Sequence, residues 1–460
     1  MIRLKITFLL CLSFLCFVAT AQKTILSGPM LGYVEHREAL IWYEVRTDIA
    51  NSFSVRFKKK NGNDTLRVAR QIEYAAHGTN AETATIKFIC DNLEFGTTYE
   101  YSFYVDEELQ ATPYVTQFKT KELWEWRKPA PDFNFLMGSC FYMNDTPYDR
   151  PGKPYGQDPH ILETMGNTQS DLMLWLGDNL YYREADYSTE SGMEYRYGFN
   201  FRLPEFQKLR ATRANYAIWD DHDYGPDDSE GTFELKEKSL ELFKNYWGNK
   251  TYGQQEHAGV YHKFKWSDCE FFMLDDRYNR TPKQLRDSVD GKPNADKIIF
   301  GEAQMQWLKN SLAVSTATFK FIVTGGQALN ALGTEETLLH YPIECNDLIN
   351  FVANQKISGL VFLTGDRHFT EMITYKPRAD FYAIPEYTSS AVTAGSSKPS
   401  KAEVNNPQRV EGSLFLGNNF GRLSVSGTPK NRTLIIETLD AKGDVKWKKE
   451  ISQNELVPTR

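Results

Sequence analysis

A layered α/β domain over residues 133–455, preceded by an all-β sandwich over residues 24–122, is the fold class this sequence predicts. Three observations lead there. From Phe133 onward, short apolar runs alternate with helical patterns, the texture of strands feeding helices. Four of those runs stop at thiol, carboxylate or imidazole side chains. The segment before them clusters β-formers and turn residues without a helical period. At 460 residues the chain also exceeds what one hydrophobic core serves, so two domains are expected.

The sandwich is read from β-forming runs at 39–45 and 52–57, the turn Asn61-Gly62-Asn63-Asp64, and a strand at 99–105. In that strand Tyr99, Tyr101, Phe103 and Val105 share one face at period two. The preceding Leu93-Glu94-Phe95-Gly96-Thr97-Thr98 resembles the strand-entry turn of fibronectin type III and Ig-like sandwiches, where a tyrosine hydroxyl bonds back to the turn. Such a domain is expected to be structural, with carbohydrate or partner binding as the alternative. Residues 123–131, with Trp124, Trp126 and two prolines, read as a linker packed against a neighbour. Strands follow at 133–137, 172–176, 216–219, 271–274, 319–324 and 360–364. Residues 233–247 and 302–312 have amphipathic helical spacing. Residues 389–401 read as a mobile loop, and 434–439 with 445–451 as a hairpin joining or covering the main sheet.

The chemistry sits just past four of the strands. Gly138-Ser139-Cys140, Gly177-Asp178-Asn179-Leu180-Tyr181, Asp220-Asp221-His222 and Gly365-Asp366-Arg367-His368 each follow an apolar run. In an open α/β sheet, residues past the carboxyl ends of parallel strands converge on one crevice. A thiolate, a phenol, carboxylates and imidazoles gathered there suit two or more cations. A carboxylate such as Asp178 has two oxygens and can bridge two metals, and Tyr181 reaches the same ion if the segment turns. Asp366 and His368, one residue apart, point the same way in an extended segment. His222 either ligates or donates to a phosphoryl oxygen. Arg183 and Arg277 are candidates for neutralising a bound phosphoryl group, with an ion pair to Asp275 or Asp276 as the alternative for Arg277. Each motif has a plain structural reading as well. Asp178 caps a helix, Cys140 is an inert buried thiol, and the acidic run ending in Asp223, Asp227 and Asp228 is a surface turn.

Composition narrows the class. Met1 to Ala21 carries Arg3 and Lys5, an apolar stretch and Ala19-Thr20-Ala21, which reads as a signal peptide for export to the periplasm or outside the cell. Its removal takes the net charge from -7 to about -9, a poor balance for binding nucleic acid or anionic membranes. No later stretch is long and apolar enough to span a membrane. Of six cysteines, Cys90, Cys140, Cys269 and Cys345 remain after processing, widely spaced and not a disulfide framework.

Taken in order, the motifs resemble the alkaline phosphatase D (PhoD-like) family of calcineurin-like metallophosphoesterases. Ser27-Gly28-Pro29-Met30 and Gly32-Tyr33-Val34 begin the resemblance. Leu274-Asp275-Asp276-Arg277 and the four strand-end motifs complete it. The resemblance implies a four-layer α-β-β-α catalytic sandwich and a site like that of purple acid phosphatases, with ferric iron (Fe3+) and calcium (Ca2+). Carried over, Cys140, Asp178, Tyr181 and His368 fall on the iron side and Asp221 and Asp366 on the calcium side. Asp178 bridges, Arg183 and His222 contact the phosphate, and Asp220 is left without a role. Asp223 stands where relatives often carry Glu. The implied reaction is hydrolysis of phosphomonoesters or phosphodiesters by a cation-bound hydroxide, on a small-molecule or polymer substrate. The alternatives are a phospholipid or cell-wall polymer phosphodiesterase, and a non-catalytic exported binding or adhesion protein whose metal site is structural.

Overall fold

The computed structural model describes residues 24–62, 65–78, 80–333 and 336–459; the expected signal peptide and Asn63-Asp64 of the first turn lie outside the described residues. The N-terminal part is a sandwich of two antiparallel sheets. One runs Ile25–Val34, Ala39–Arg46, Thr83–Cys90, Arg70–His77; the other is centred on Phe53–Lys59 and Thr98–Val105. The period-two face reads through: Tyr99, Tyr101, Phe103 and Val105 are all buried. Glu94 N donates to the Tyr99 hydroxyl at 2.9 Å, closing the strand-entry turn.

The second part holds two six-stranded sheets. In the first, Ala214–Ile218, Leu172–Leu176 and Phe133–Gly138 are parallel neighbours. The C-terminal strands Asn419–Thr428, Asn431–Asp440 and Val445–Ser452 extend this sheet antiparallel, so the expected hairpin joins it. In the second, Cys269–Met273, Phe319–Val323, Leu360–Thr364 and Ile384–Thr388 run parallel, with antiparallel His262–Trp266 and Glu371–Tyr375 at the edges. Aromatic rings fill the space between the sheets. Phe135 meets Phe271 and Phe321 edge-on at 5.3 and 5.5 Å, and Tyr216 stacks on Phe264 at 3.6 Å. Such offset and edge contacts add to the area each ring buries. Helices include Glu190–Phe201, Pro204–Ala211, Lys236–Tyr246, Glu302–Val314 and Pro342–Asn354. The expected alternation in the α/β part is therefore present, although the strand at 384–388 and the helix at 342–354 were not anticipated.

The two parts share a polar and apolar seam. Asn215, inside the first sheet of the α/β part, donates to Leu31 O at 2.9 Å, and Trp42 Nε1 donates to Asn245 O at 2.8 Å. Tyr33 N donates to Gly248 O at 3.0 Å, and Arg210 Nη2 donates to Ser27 Oγ at 2.8 Å. The Ser27–Val34 strings thus form the strand that docks the sandwich on the α/β part.

Two expectations fail. The 123–131 linker is not packed throughout, because Trp126 adopts φ 65° and is 99% exposed. A left-handed turn at that residue swings its side chain out of the seam. The 389–401 segment is not an open loop at its start, because Ser389, Ser390, Ala391, Val392, Thr393 and Ala394 are all fully buried. They pass directly beneath Cys140, held by Val392 N to Ser139 O at 2.9 Å and Ala394 N to Cys140 O at 3.0 Å. All four cysteines among the described residues are free and buried. No helix among the described residues is long and apolar enough to cross a membrane.

Candidate metal centre

Cys140, Asp178, Asp220 and Asp366 each stand two residues past the end of a strand, at Gly138, Leu176, Ile218 and Thr364. The first three strands belong to one sheet and the fourth to the other, so the residues face each other across the top of the sandwich. Glycine makes that approach possible. A Cβ on Gly325 would lie 2.5 Å from Asp220 Cγ, and one on Gly365 would lie 2.5 Å from Ser139 Oγ. Larger residues at either position would force the two sheet ends apart.

Three sets of ligand atoms lie within 4.8 Å of one another: Cys140, Asp178 and His368; Asp178, Asp221 and His222; Asp178, Asp220 and Asp366. Asp178 belongs to all three. Tyr181 completes the first set, its hydroxyl 2.9 Å from Asp178 Oδ2 and 3.2 Å from His368 Nε2. The turn that brings Tyr181 back is the one its spacing required. Asp178 is not a helix cap; the capping box belongs to Asp220 and Asp223 at the helix Asp221–Tyr224. Asp366 and His368 do not lie on an extended segment. Both have left-handed backbones, φ 68° and 56°, and the carboxylate and the imidazole join different ligand sets that share Asp178.

Charge crowding is severe. Burial and the charges of Asp221 and Cys140 raise the Asp178 carboxyl, and burial with Asp221 pushes Asp366 up to about 6. Burial and Asp366 push the Cys140 thiol up to about 11. Burial works against ionised Asp221 too, but His222 and Arg277 beside it hold its carboxyl below the usual range. Both imidazoles, His222 and His368, are lowered by burial and so stay in the neutral form that ligates metals. Asp220 Oδ1 accepts from Arg277 Nε at 2.6 Å, while its buried Oδ2 has no hydrogen-bond partner. An orphaned carboxylate oxygen among acids that cannot all ionise together is the environment a bound cation relieves. The donor set fits: sulfur, phenol and imidazole from Cys140, Tyr181 and His368 in one set, and carboxylates with the His222 imidazole in the others.

The remaining candidates surround this cluster. His222 N donates to Asp178 Oδ1 at 3.2 Å, and its ring packs on Tyr181 with centroids 4.1 Å apart. Its Nε2 is 3.4 Å from Asp227 Oδ1. Arg183 is buried with its guanidinium 3.8 Å over the Tyr142 ring, bonded to Asp149 at 2.9 Å and to Met143 O at 2.6 Å. Arg277 does not pair primarily with Asp275 or Asp276; its nearest partners are Asp220 and Glu336.

Sequence reasoning missed three supports. Asp223, read there as a surface carboxylate, is fully buried and accepts from Asp178 N, Asn179 N, Asn179 Nδ2 and Asp220 N at 3.2, 3.1, 2.6 and 2.7 Å. The capping-box spacing Asp220-x-x-Asp223 was the available signal. Ser390 Oγ donates to Cys140 Sγ at 3.1 Å, and the Tyr155 hydroxyl lies 2.9 Å from His368 Nδ1. Neither leaves a local trace, because the partners are 250 and 213 residues apart.

Residues 154–433 match the model of the PhoD-like phosphatase family. The chain belongs to that family. Residues 22–123 match a domain of unknown function, DUF7800. Among curated proteins, alkaline phosphatase D of Bacillus subtilis (strain 168) is 23% identical over 321 residues, 60% of this chain. The match spans 52% of that relative, about half its length. The solved structure of PhoD superposes with TM-score 0.70 at 16% identity, covering 94% of this chain and 93% of that one. A purple acid phosphatase, PPD1 from yellow lupin (Lupinus luteus) seeds, gives TM-score 0.66 at 12% identity, covering 94% and 75%. At these identities the two structures establish a shared fold, a β-sandwich followed by the layered α/β domain. This PhoD-like chain thus carries its candidate ligands where the parallel strands of that fold end.

Proposed function

We propose that this PhoD-like protein is an exported, metal-dependent hydrolase of phosphomonoesters or phosphodiesters. One observation carries the reading: three ligand sets share Asp178 at the common carboxyl end of the parallel strands of two sheets. Cys140, Tyr181 and His368 would hold a ferric ion, since thiolate and phenolate charge favours a trivalent metal. Asp178 with Asp221 and Asp366 would hold calcium, Asp221 sharing its set with His222 and Asp366 sharing its set with Asp220. Cations bound there supply a nucleophile at neutral pH and positive charge for the phosphoryl oxygens. The chain's own groups do the rest. His222 N fixes one oxygen of Asp178, and the other faces the Tyr181 hydroxyl, so a cation held by the Tyr181 phenolate would meet Asp178 Oδ2. Tyr155 orients the His368 ring through Nδ1, leaving Nε2 toward the cluster. His222, partly open to solvent beside Asp227, is placed to ligate or to donate its ring N–H to a phosphoryl oxygen. Export rests on the sequence of residues 1–21 alone.

A visible charge-transfer band and stoichiometric iron in purified protein are the expected signature. Asp178→Asn and Cys140→Ala should each abolish hydrolysis of bis(4-nitrophenyl) phosphate and of 4-nitrophenyl phosphate while the far-ultraviolet dichroism stays unchanged. Colourless, iron-free protein with full activity removes the iron assignment. Activity surviving both substitutions removes the hydrolase reading and leaves the structural-metal alternative.

A further inference from the structure

We propose that the cleft beside Tyr181 and His222 is a leaving-group subsite built for a planar aromatic or heteroaromatic alcohol without a second charge. The proposal rests on the phosphoester-hydrolase reading above and narrows it to a substrate class. The cleft measures about 390 Å³ and opens directly onto Tyr181 and His222, so a group bound in it adjoins the candidate metal centre. That volume lies in the range of small-molecule sites.

Its walls are rings. Tyr142 meets Tyr155 edge-on at 4.9 Å and Tyr181 at 5.1 Å, and the His222 ring lies 4.1 Å from Tyr181. Tyr155 is 43% exposed although its hydroxyl is tied to His368, so the ring is anchored at its tip and open along its body. The loop carrying it is fixed rather than loose. Asn144 Nδ2 donates to Gly156 O at 2.8 Å and Gly156 N returns a bond to Asn144 Oδ1 at 3.0 Å. Pro151 and Pro154, also on the cleft wall, restrict the backbone between those clamps. A ring held in this way offers a stacking surface at little ordering cost.

The charges decide against a polyanionic ligand. Arg150, Lys153 and Arg183 line the cleft, but so do Asp149, Glu184 and Asp227. Arg183 is already bonded to Asp149, and Arg150 to Glu184. Beyond the phosphoryl position the cleft carries no net charge, so a second phosphate gains nothing there. A polymer with a phosphate in every repeat would place one in that space; an aryl, benzyl or nucleoside-like alcohol would instead meet Tyr155.

Benzyl phosphate and cyclohexylmethyl phosphate test this, because they share charge, near-equal size and poor alkoxide leaving groups and differ in aromaticity. With the metal-loaded full chain, kcat/KM should favour the benzyl ester by about tenfold, the scale of one base–aromatic stack. Tyr155→Phe should lower overall rates through the lost His368 contact yet keep that preference; Tyr155→Leu should reduce it below about threefold. On the parent protein, benzylphosphonate should inhibit about tenfold more tightly than cyclohexylmethylphosphonate, which decides the matter even where Tyr155→Leu does not fold. Equal kcat/KM for the two esters, equal inhibition, or a preference retained in Tyr155→Leu overturns the subsite and leaves phosphoester hydrolysis standing. Failure of the folded, metal-loaded parent to hydrolyse either ester or bis(4-nitrophenyl) phosphate overturns the hydrolase reading and the subsite with it.

Discussion

Replacing Asp223 by Asn should loosen the metal centre without touching a ligand. The two carboxylate oxygens divide four donors: Oδ1 accepts from Asp178 N and Asp220 N, Oδ2 from Asn179 N and Asn179 Nδ2. An amide has one acceptor oxygen, so one pair of donors must face an NH2 group. If that pair is on Asn179, its side chain can flip and offer its unpartnered Oδ1. The flip strips Ile218 O of its donor and still leaves Asn179 N unsatisfied. Either way two buried polar groups lose partners, at about 1–3 kcal/mol each, giving roughly 2–6 kcal/mol in total. At about 2.1 cal/mol/K per residue the unfolding entropy of 460 residues is about 1 kcal/mol/K, so the melting temperature should fall by roughly 2–6 °C. Because two of the donors are the amides of Asp178 and Asp220, cation affinity should drop roughly tenfold to a hundredfold, as for other groups that orient ligands. Burial pushes the Asp223 carboxyl up to about 7, so assays belong near pH 8.5, where the parent side chain is ionised. Calorimetry and metal titration on parent and variant measure both effects. A variant melting within about 1 °C of the parent, with unchanged metal affinity, would refute the four-bond account.

Three other outcomes are expected. Gly325→Ala should cut turnover sharply with little loss of secondary structure, because its Cβ falls 2.5 Å from Asp220 Cγ and displaces that carboxylate; unchanged kcat would contradict the close approach. Asn215→Ala strands Leu31 O, Arg210 O and Trp175 Nε1 in the interior, and should cost about 3–5 kcal/mol in urea unfolding, against under 1 if the seam is plastic. Glu194 is held down to about 2 by His77 and Lys238 and accepts from Gly78 N at 3.1 Å, tying the helix Glu190–Phe201 to the sandwich. A depressed carboxyl stabilises above its unfolded value and loses that contribution as pH falls toward its folded one. Parent stability should therefore decline between about pH 4.5 and 2 more steeply than that of Glu194→Gln, and superposable pH profiles would exclude the clasp.

What was legible in the sequence was whatever local pattern encodes. The alternation at Tyr99–Val105 needs only a half-buried strand, and the apolar runs at 172–176 and 360–364 need only a strand buried on both faces. Cys140, Asp178, Asp220 and Asp366 could be found because parallel strands in layered sheets end at one side, so position after a strand stands in for position in space. His222 and Tyr181 followed from their spacing to those residues. Groups whose partners lie far along the chain were not legible. Nothing near Ser390 announces a thiol 250 residues earlier, and the small, polar composition of 389–394 imitates an exposed loop when it is buried under the site. Asp223 was misread for a related reason: in an acidic run, sequence does not separate the carboxylate pointing inward from those pointing out. Trp126 erred the other way, since aromatic character suggests burial and one left-handed residue reverses it.

The left-handed backbones at Cys140, Asp178, Asp366 and His368 bear on how the centre is built. None is glycine, and φ of 60°, 52°, 68° and 56° costs each of them about 1 kcal/mol or more. Ligands that adopted this shape only under the pull of a cation would relax when it left. Here protein hydrogen bonds already hold it: Phe141 N to Asp178 O at 2.7 Å, Gly365 N to Gly325 O at 2.7 Å, and His368 N to Ser390 Oγ at 2.9 Å. Each of these bonds joins neighbouring strand ends within one sheet, and Val392 N to Ser139 O at 2.9 Å links the two sheets, so the strain is carried by the packed sandwich rather than by the loops. The same rigidity explains why acids that repel one another stay gathered around Asp178, and why the supports Asp223, Ser390 and Tyr155 matter as much to the centre as the ligands they hold.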